Sequence, residues 1–310
     1  MDRRIQVIKA ASDIGAGKKG AALGPKTVLD TFEKHFPQKF GTFGISEVPV
    51  TPGLEATERA YARNITTLLP AMKELNQQVS SVLDSGSFPL ILSGDHSNAI
   101  GAVSGFTDHF DKDNIGIIWI DAHLDLHSPY TTPSGNIHGM ALNALIGLDN
   151  IELKQNDPDP ESIQYWESLK RLGKEDVFPK ILPENIIFIG VRDYEAQEMA
   201  LAEETGMHVF TPDEINSIGI DKIARIALNL LQDCSKIYVS FDVDSMDPSI
   251  SAATGTPVDG GLTFDQAAVL FKAFFHHPKV AAFEITEVNP ELEEGNAMAD
   301  TVAKLLDTVL

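Results

Sequence analysis

Seven short runs, at 4–9, 88–92, 115–120, 185–189, 208–210, 237–241 and 280–285, are apolar almost without interruption and often β-branched. A strand with one wet face alternates apolar and polar residues. Runs that do not alternate are covered on both faces, as in a parallel sheet. Helical patterns lie between them: 54–85, where Pro70 is expected to break or kink the helix, and 98–110. Thr263 and Gln266 form a capping box opening a helix to about 276. Asn296 is placed to cap a last helix to about 309. Strand–helix alternation over all 310 residues predicts an α/β chain, a single three-layer α/β/α domain. The stretch 148–183 stands apart as a polar insertion rich in Asp, Glu, Lys and Pro. It holds a short helix that Asp159 can cap, with Pro160 at its first position. Tyr165, Trp166, Leu169 and Leu172 fall roughly on one side, so the insertion is expected to pack on its own domain. A subunit contact or a lip over the active site is the functional alternative.

With 24 basic against 45 acidic residues the net charge is −21. That argues against nucleic acid or an anionic membrane surface as partner, because phosphates are held by clustered Lys and Arg. A cationic small molecule is compatible with it. No stretch approaches the roughly 18 consecutive apolar residues of a membrane span. The opening MDRRIQVIKAASDIGAG lacks the apolar core of a signal peptide, so a cytoplasmic protein is expected. The single cysteine, Cys234, has no internal partner for a disulfide, which suits a reducing compartment, and it is expected to be an inert residue near the core.

Three of the apolar runs end in ionisable residues. Gly94-Asp95-His96 follows 88–92, Asp121-Ala-His123-Leu-Asp125 follows 115–120, and Asp242-Val-Asp244 follows 237–241. In extended chain, alternate side chains point the same way, so each set is expected to converge. Open parallel sheets bind ligands beyond the carboxyl ends of their strands. Four carboxylates (Asp121, Asp125, Asp242, Asp244) and two imidazoles (His96, His123) would meet there. An unpaired buried charge costs several kcal/mol, and two divalent cations would balance four carboxylates. Oxygen-rich donors without sulfur disfavour structural zinc and suit Mn²⁺, with Co²⁺, Ni²⁺ or Zn²⁺ as weaker fits. Six ligands serve two ions if Asp121 and Asp242 each bridge. Two ions about 3.5–4 Å apart can then share a water and lower its pKa.

The segments GDHS (94–97), DAHLD (121–125), SGNIHG (134–139), SFDVDSMDP (240–248), ATGTP (253–257) and EITEVNP (284–290) resemble, in order, the signatures of the arginase/ureohydrolase family. The resemblance extends over nearly the whole chain. It implies a three-layer α/β/α fold around a central, mainly parallel eight-stranded sheet, in a homo-oligomer (trimer or hexamer). It also implies two Mn²⁺ per chain, whose shared hydroxide hydrolyses a guanidino compound to urea and an amine.

Carried over residue by residue, one ion would take His96, Asp121, Asp125 and Asp242, and the other Asp121, His123, Asp242 and Asp244. Asp125 would orient the attacking hydroxide, Glu287 would pair with the guanidinium, and His138 would carry the proton. Ser134 and Asn136 match a loop that binds an α-carboxylate, Glu195 and Glu198 match the two acidic positions facing an α-amino group, and Thr256 is a further substrate contact. His127 is also expected to bind substrate, but it departs from the resemblance, standing where many relatives have Asn in the carboxylate-binding loop. Ser93 replaces a Gly, Glu195 replaces an Asp, the loop DIGAGKKGAALGP is more basic than many, and 148–183 is longer than usual. The implied substrate is L-arginine, cleaved to L-ornithine and urea. The nearest rival is a ureohydrolase acting on agmatine or a guanidino acid, and Ser134 and Asn136 weigh more against the first. A single-zinc deacetylase of related fold is disfavoured by the intact second-metal set, and a non-catalytic binding protein by the complete ligand list.

Overall fold

The computed structural model describes residues 3–49, 59–110, 115–174 and 177–310. Eight parallel strands form one sheet: β1 (Ile5–Ala10), β2 (Gly44–Glu47), β3 (Phe88–Ser93), β4 (Ile115–Ile120), β5 (Ile186–Ile189), β6 (His208–Phe210), β7 (Lys236–Asp242) and β8 (Val280–Thr286). Their order is β2-β1-β3-β8-β7-β4-β5-β6. The seven apolar runs all become strands, and every pairing is parallel. The eighth, β2, has no apolar run to announce it. It is a four-residue edge strand, mostly exposed.

Alternate residues of each strand enter opposite layers. Ile118, Ile120, Val239 and Phe241 face α1 (Gly24–His35), α8 (Pro212–Ile218), α9 (Ile220–Leu230), α10 (Phe264–Phe275) and α11 (Ala297–Asp307). Ile117, Trp119 and Tyr238 face the other side, with α3 (Ile65–Asp84), α4 (Asn98–His109), α5 (Ala141–Ile146), α6 (Pro160–Lys170) and α7 (Ala196–Thr205). The remaining helix, α2 (Pro37–Phe40), is one turn at the surface. These are the three expected layers, and Cys234 is buried in the first of them.

Some local expectations change. Residues 54–58 of the expected helix 54–85 lie outside the described residues, and α3 begins at Ile65 and runs through Pro70 without stopping. A proline inside a helix costs about 3 kcal/mol. Burying Leu68, Leu69, Met72 and Leu75 around it is worth about 1.5–3 kcal/mol each, which outweighs that cost. Asn296 precedes α11 but makes no side-chain cap, and Glu293 Oε1 accepts the Met298 amide instead, at 2.8 Å. Asp159 and Thr263 cap as expected. Within 148–183, Trp166, Leu169 and Leu172 are buried in the α3–α7 layer, and Trp166 Nε1 donates to Asp149 at 2.7 Å.

Helices α3 and α4 meet backbone to backbone through two glycines one turn apart. A Cβ on Gly105 would stand 2.3 Å from the Asn76 carbonyl oxygen, and one on Gly101 would stand 2.7 Å from that of Met72. Gly105→Ala is therefore expected to force the helices apart and cost about 1–3 kcal/mol. Gly41→Ala, where nothing lies within 4 Å, should leave thermal unfolding unchanged.

Candidate metal centre

The order β3-β8-β7-β4 makes the four central strands end side by side. Ile120 pairs with Phe241, Asp242 with Thr286, and Leu92 with Ile285. Asp121, Asp242, Glu287 and the 94–96 turn therefore arrive level at one rim. The expectation that extended chain aims these residues is replaced by tighter geometry. β4 stops at Ile120, and Asp121 Oδ1 accepts the His123 amide at 2.7 Å. After β7, Asp242 Oδ1 accepts the Asp244 amide at 2.8 Å. Each Asp folds onto the backbone two residues ahead, an Asx turn, because its short carboxylate reaches that amide. Asp125 (φ 52°) and Glu287 (φ 66°) lie in the left-handed region, a strained backbone held by its surroundings.

Two donor groups result. In the first, His96 Nδ1 stands 3.0 Å from Asp121 Oδ2, 3.1 Å from Asp125 Oδ2 and 3.2 Å from Asp242 Oδ2. In the second, His123 Nδ1 stands 3.4 Å from Asp121 Oδ1 and 3.1 Å from Asp244 Oδ2. Asp121 thus gives one oxygen to each. Asp242 enters the first group alone, so the expected second bridge is not formed in this geometry. His96 Nδ1, Asp121 Oδ2 and Asp125 Oδ2 are buried and make no aligned hydrogen bond. Such atoms are what a cation takes up, so this donor set fits a divalent metal pair.

The surrounding contacts orient these donors. His96 Nε2 lies 2.8 Å from Ser240 Oγ, which donates onward to Glu284 Oε2 at 3.1 Å. Tyr238 and Ser93 also donate to Glu284. A proton fixed on Nε2 leaves Nδ1 free to ligate. The His96 ring stacks on Trp119 at 4.0 Å. Arg192 donates to the carbonyls of Gly190, Asp244, Ser245, Met246, Val258 and Asp259, while its amide donates to Ala122 O at 2.8 Å. It ties together the turns that carry His123, Asp244 and Thr256. Of these supporting residues only Ser93 was singled out from the sequence, and then as a departure from the resemblance rather than as a support. Glu284, a lone carboxylate in an otherwise apolar strand, carried a readable signal.

A cavity of about 80 Å³ opens onto the two groups, lined among others by Asp125, His127, His138, Glu195, Glu198 and Thr256. Thr256 Oγ1 donates to Asp244 Oδ2 at 2.9 Å. Ser134 and Asn136 are not in this lining; Ser134 is exposed and its Oγ accepts the Asn136 amide. Glu287 is buried, its Oε1 accepting the His96 amide at 3.0 Å and facing His138 Nδ1 at 2.9 Å. Asp95, beside His96, is fully buried and accepts the amides of Ala16 and Ser97, pinning the 12–17 loop over the site.

Charge is finely opposed here. Burial disfavours an imidazolium on His96, but Asp121, Asp125 and Asp242 outweigh it and raise its pKa well above the usual value. Burial likewise opposes a proton on His123, and Asp244 and Asp121 prevail. Burial, then Asp121, raises Asp125 to about 6, while burial, Asp244 and Asp121 raise Asp242. For Asp121, burial is outweighed by His123 and His96, and its pKa is lowered. Burial opposes a charge on His138, yet Glu287 raises it to about 9. Burial lifts Glu198 well above the carboxylate range and lowers His127.

Protons therefore stand on the metal-free imidazoles where cations would sit. Loading a divalent ion is expected to release about one proton per liganding His, and affinity should fall as pH is lowered, because more protons must be displaced. Calorimetry in buffers of different ionisation enthalpy measures the release. Arg192→Met should lower the bound ions from two towards one per chain, with the His96 group keeping its ion.

The whole chain, residues 3–310, matches the model of the arginase family. The arginase of Bacillus subtilis is 32% identical over 312 residues, covering 100% of this chain and 98% of its own. That of Bacillus caldovelox is 30% identical over 310 residues, covering 98% and 97%. Among solved structures, a B. subtilis arginase superposes with a TM-score of 0.84, covering 99% of this chain and 98% of the other. A B. subtilis formimidoylglutamase at 19% identity, with a TM-score of 0.75 over 98% and 85% of the two chains, shares the fold alone. With its parallel sheet, its central rim and its paired donor groups, the chain belongs to the arginase family.

Proposed function

We propose that this chain is an arginase, hydrolysing L-arginine to L-ornithine and urea with two Mn²⁺ per chain. The observation that carries the reading is Asp121, whose two oxygens face two separate His–carboxylate groups at the floor of one small cavity. His96, Asp121, Asp125 and Asp242 would hold one ion, and His123, Asp121 and Asp244 the other, which Asp242 would join if its Oδ1 released the Asp244 amide. Bound there, the ions would offset the buried carboxylates and supply an acidified water. Oxygen-dominated ligation favours Mn²⁺. No described helix is long and apolar enough to cross a membrane.

The chain's own groups account for the rest. Glu287 spends Oε1 on the His96 amide and His138, leaving Oε2 to meet a planar guanidinium, a charge-assisted contact. His138, raised to about 9, is charged at neutral pH and can give a proton to the departing amine. The carboxylate of Asp125, at the cavity floor, can accept and orient the attacking water's proton. Glu195 and Glu198 take the α-ammonium of the amino acid, and Ser134 and Asn136, outside the cavity lining, would take its carboxylate as it projects outward. The assembly is a homo-oligomer of three or six cytoplasmic chains.

After Mn²⁺ loading, urea release from arginine should exceed that from agmatine by at least about ten-fold, one missing ion contact. Equal rates, or the reverse order, would move the chain to another ureohydrolase class. His138→Ala should lower turnover about 10²-fold while two ions stay bound. Lost metal would place His138 in the scaffold instead.

A further inference from the structure

His127 lies beside the metal donors without joining them, and its neighbours favour one tautomer. Thr131 Oγ1 accepts the Ser128 amide at 3.0 Å and can give its own proton to His127 Nδ1, 3.1 Å away. Nδ1 is thus an acceptor and the ring proton sits on Nε2. Nε2 lies 2.9 Å from Glu195 Oε2 and 3.3 Å from Glu198 Oε2. The ring is itself anchored, because the His127 amide donates to Gly139 O at 3.1 Å. The chain of donors runs from backbone to hydroxyl to imidazole to Glu195, with Glu198 Oε2 close by.

The two glutamates are held very differently. Glu198 is buried, with Oε1 accepting the Leu126 amide at 3.0 Å and Oε2 the Glu195 amide at 3.1 Å. The side chain of Glu195 is half exposed. The neutral N–H set beside the two carboxyl groups offers them a donor and adds no charge of its own. The N–H is committed to the glutamates, so His127 offers no donor to a substrate carboxylate.

Resting on the arginase reading, we propose that His127 is a positioning residue that locks Glu195 beside Glu198 and so makes the mouth select the distal ammonium of a guanidino substrate. Its hold is felt by arginine and agmatine, which carry that ammonium. It is not felt by 5-guanidinopentanoate, which has the carboxylate alone.

The test is steady-state kinetics of the Mn²⁺-loaded enzyme and its His127→Phe and His127→Gln variants, with metal content measured in each. Weak substrates are read as competitive inhibitors. Phe keeps the ring's packing and removes the N–H, and Gln can place an amide N–H near the position of Nε2. His127→Phe is expected to raise KM for arginine and agmatine about ten-fold, with kcat changed less than about two-fold. The constant for 5-guanidinopentanoate should stay put, and His127→Gln should restore most of the loss. A rise shared by all three compounds, a loss confined to kcat, or lost metal would overturn the proposal. So would three ions per wild-type chain falling to two in His127→Phe, which would make His127, Glu195 and Glu198 a metal site. An active wild type with an unchanged KM in His127→Phe defeats this inference alone. A wild type inactive on every guanidino compound defeats the arginase reading and this inference with it.

Discussion

Repulsion among four buried carboxylates is the constraint on which the rest of the molecule turns. Asp121, Asp125, Asp242 and Asp244 are all nearly inaccessible to water, and each would rather be elsewhere. They stay because neighbouring parallel strands end level and each Asp at a strand end is caught by the amide two residues ahead. Nothing in the apolar layers asks for this arrangement. The layers supply the stability that lets it persist, including the left-handed backbone at Asp125 and Glu287.

Support for the donors comes from groups that never touch the cavity. Glu284 gathers Ser93, Tyr238 and Ser240 beneath His96, and Arg192 gathers six carbonyls behind Asp244. The first arrangement fixes a ring, and the second fixes a set of turns. Rigid donors matter because a ligand set that must reorganise weakens binding by the cost of ordering it.

Much of this could be read from residue order. The apolar runs named seven strands because a strand covered on both faces has no other way to look. Strand ends bearing Asp and His stood out against them, and all six expected donors converge. The short edge strand β2 escaped notice because its residues are exposed and carry no pattern. The Asx turns escaped because alternation and a two-residue turn share the same spacing in sequence. Arg192 was passed over since its partners are carbonyl oxygens, which every residue has. The pairing of His138 with Glu287 spans 149 positions, a distance that only the sheet order closes. Ser134 and Asn136 show the reverse case, where a familiar pattern lies outside the cavity lining.

The indole of Trp119 lies parallel to the His96 ring, 4.0 Å apart and tilted by 6°. An imidazolium so placed draws on the electrons of an aromatic face, whereas a neutral imidazole does so far less. The chain has one other tryptophan, Trp166, hydrogen-bonded to Asp149. The molecule therefore carries a built-in optical gauge: the emission of one buried fluorophore should brighten or dim with the charge on the neighbouring ring.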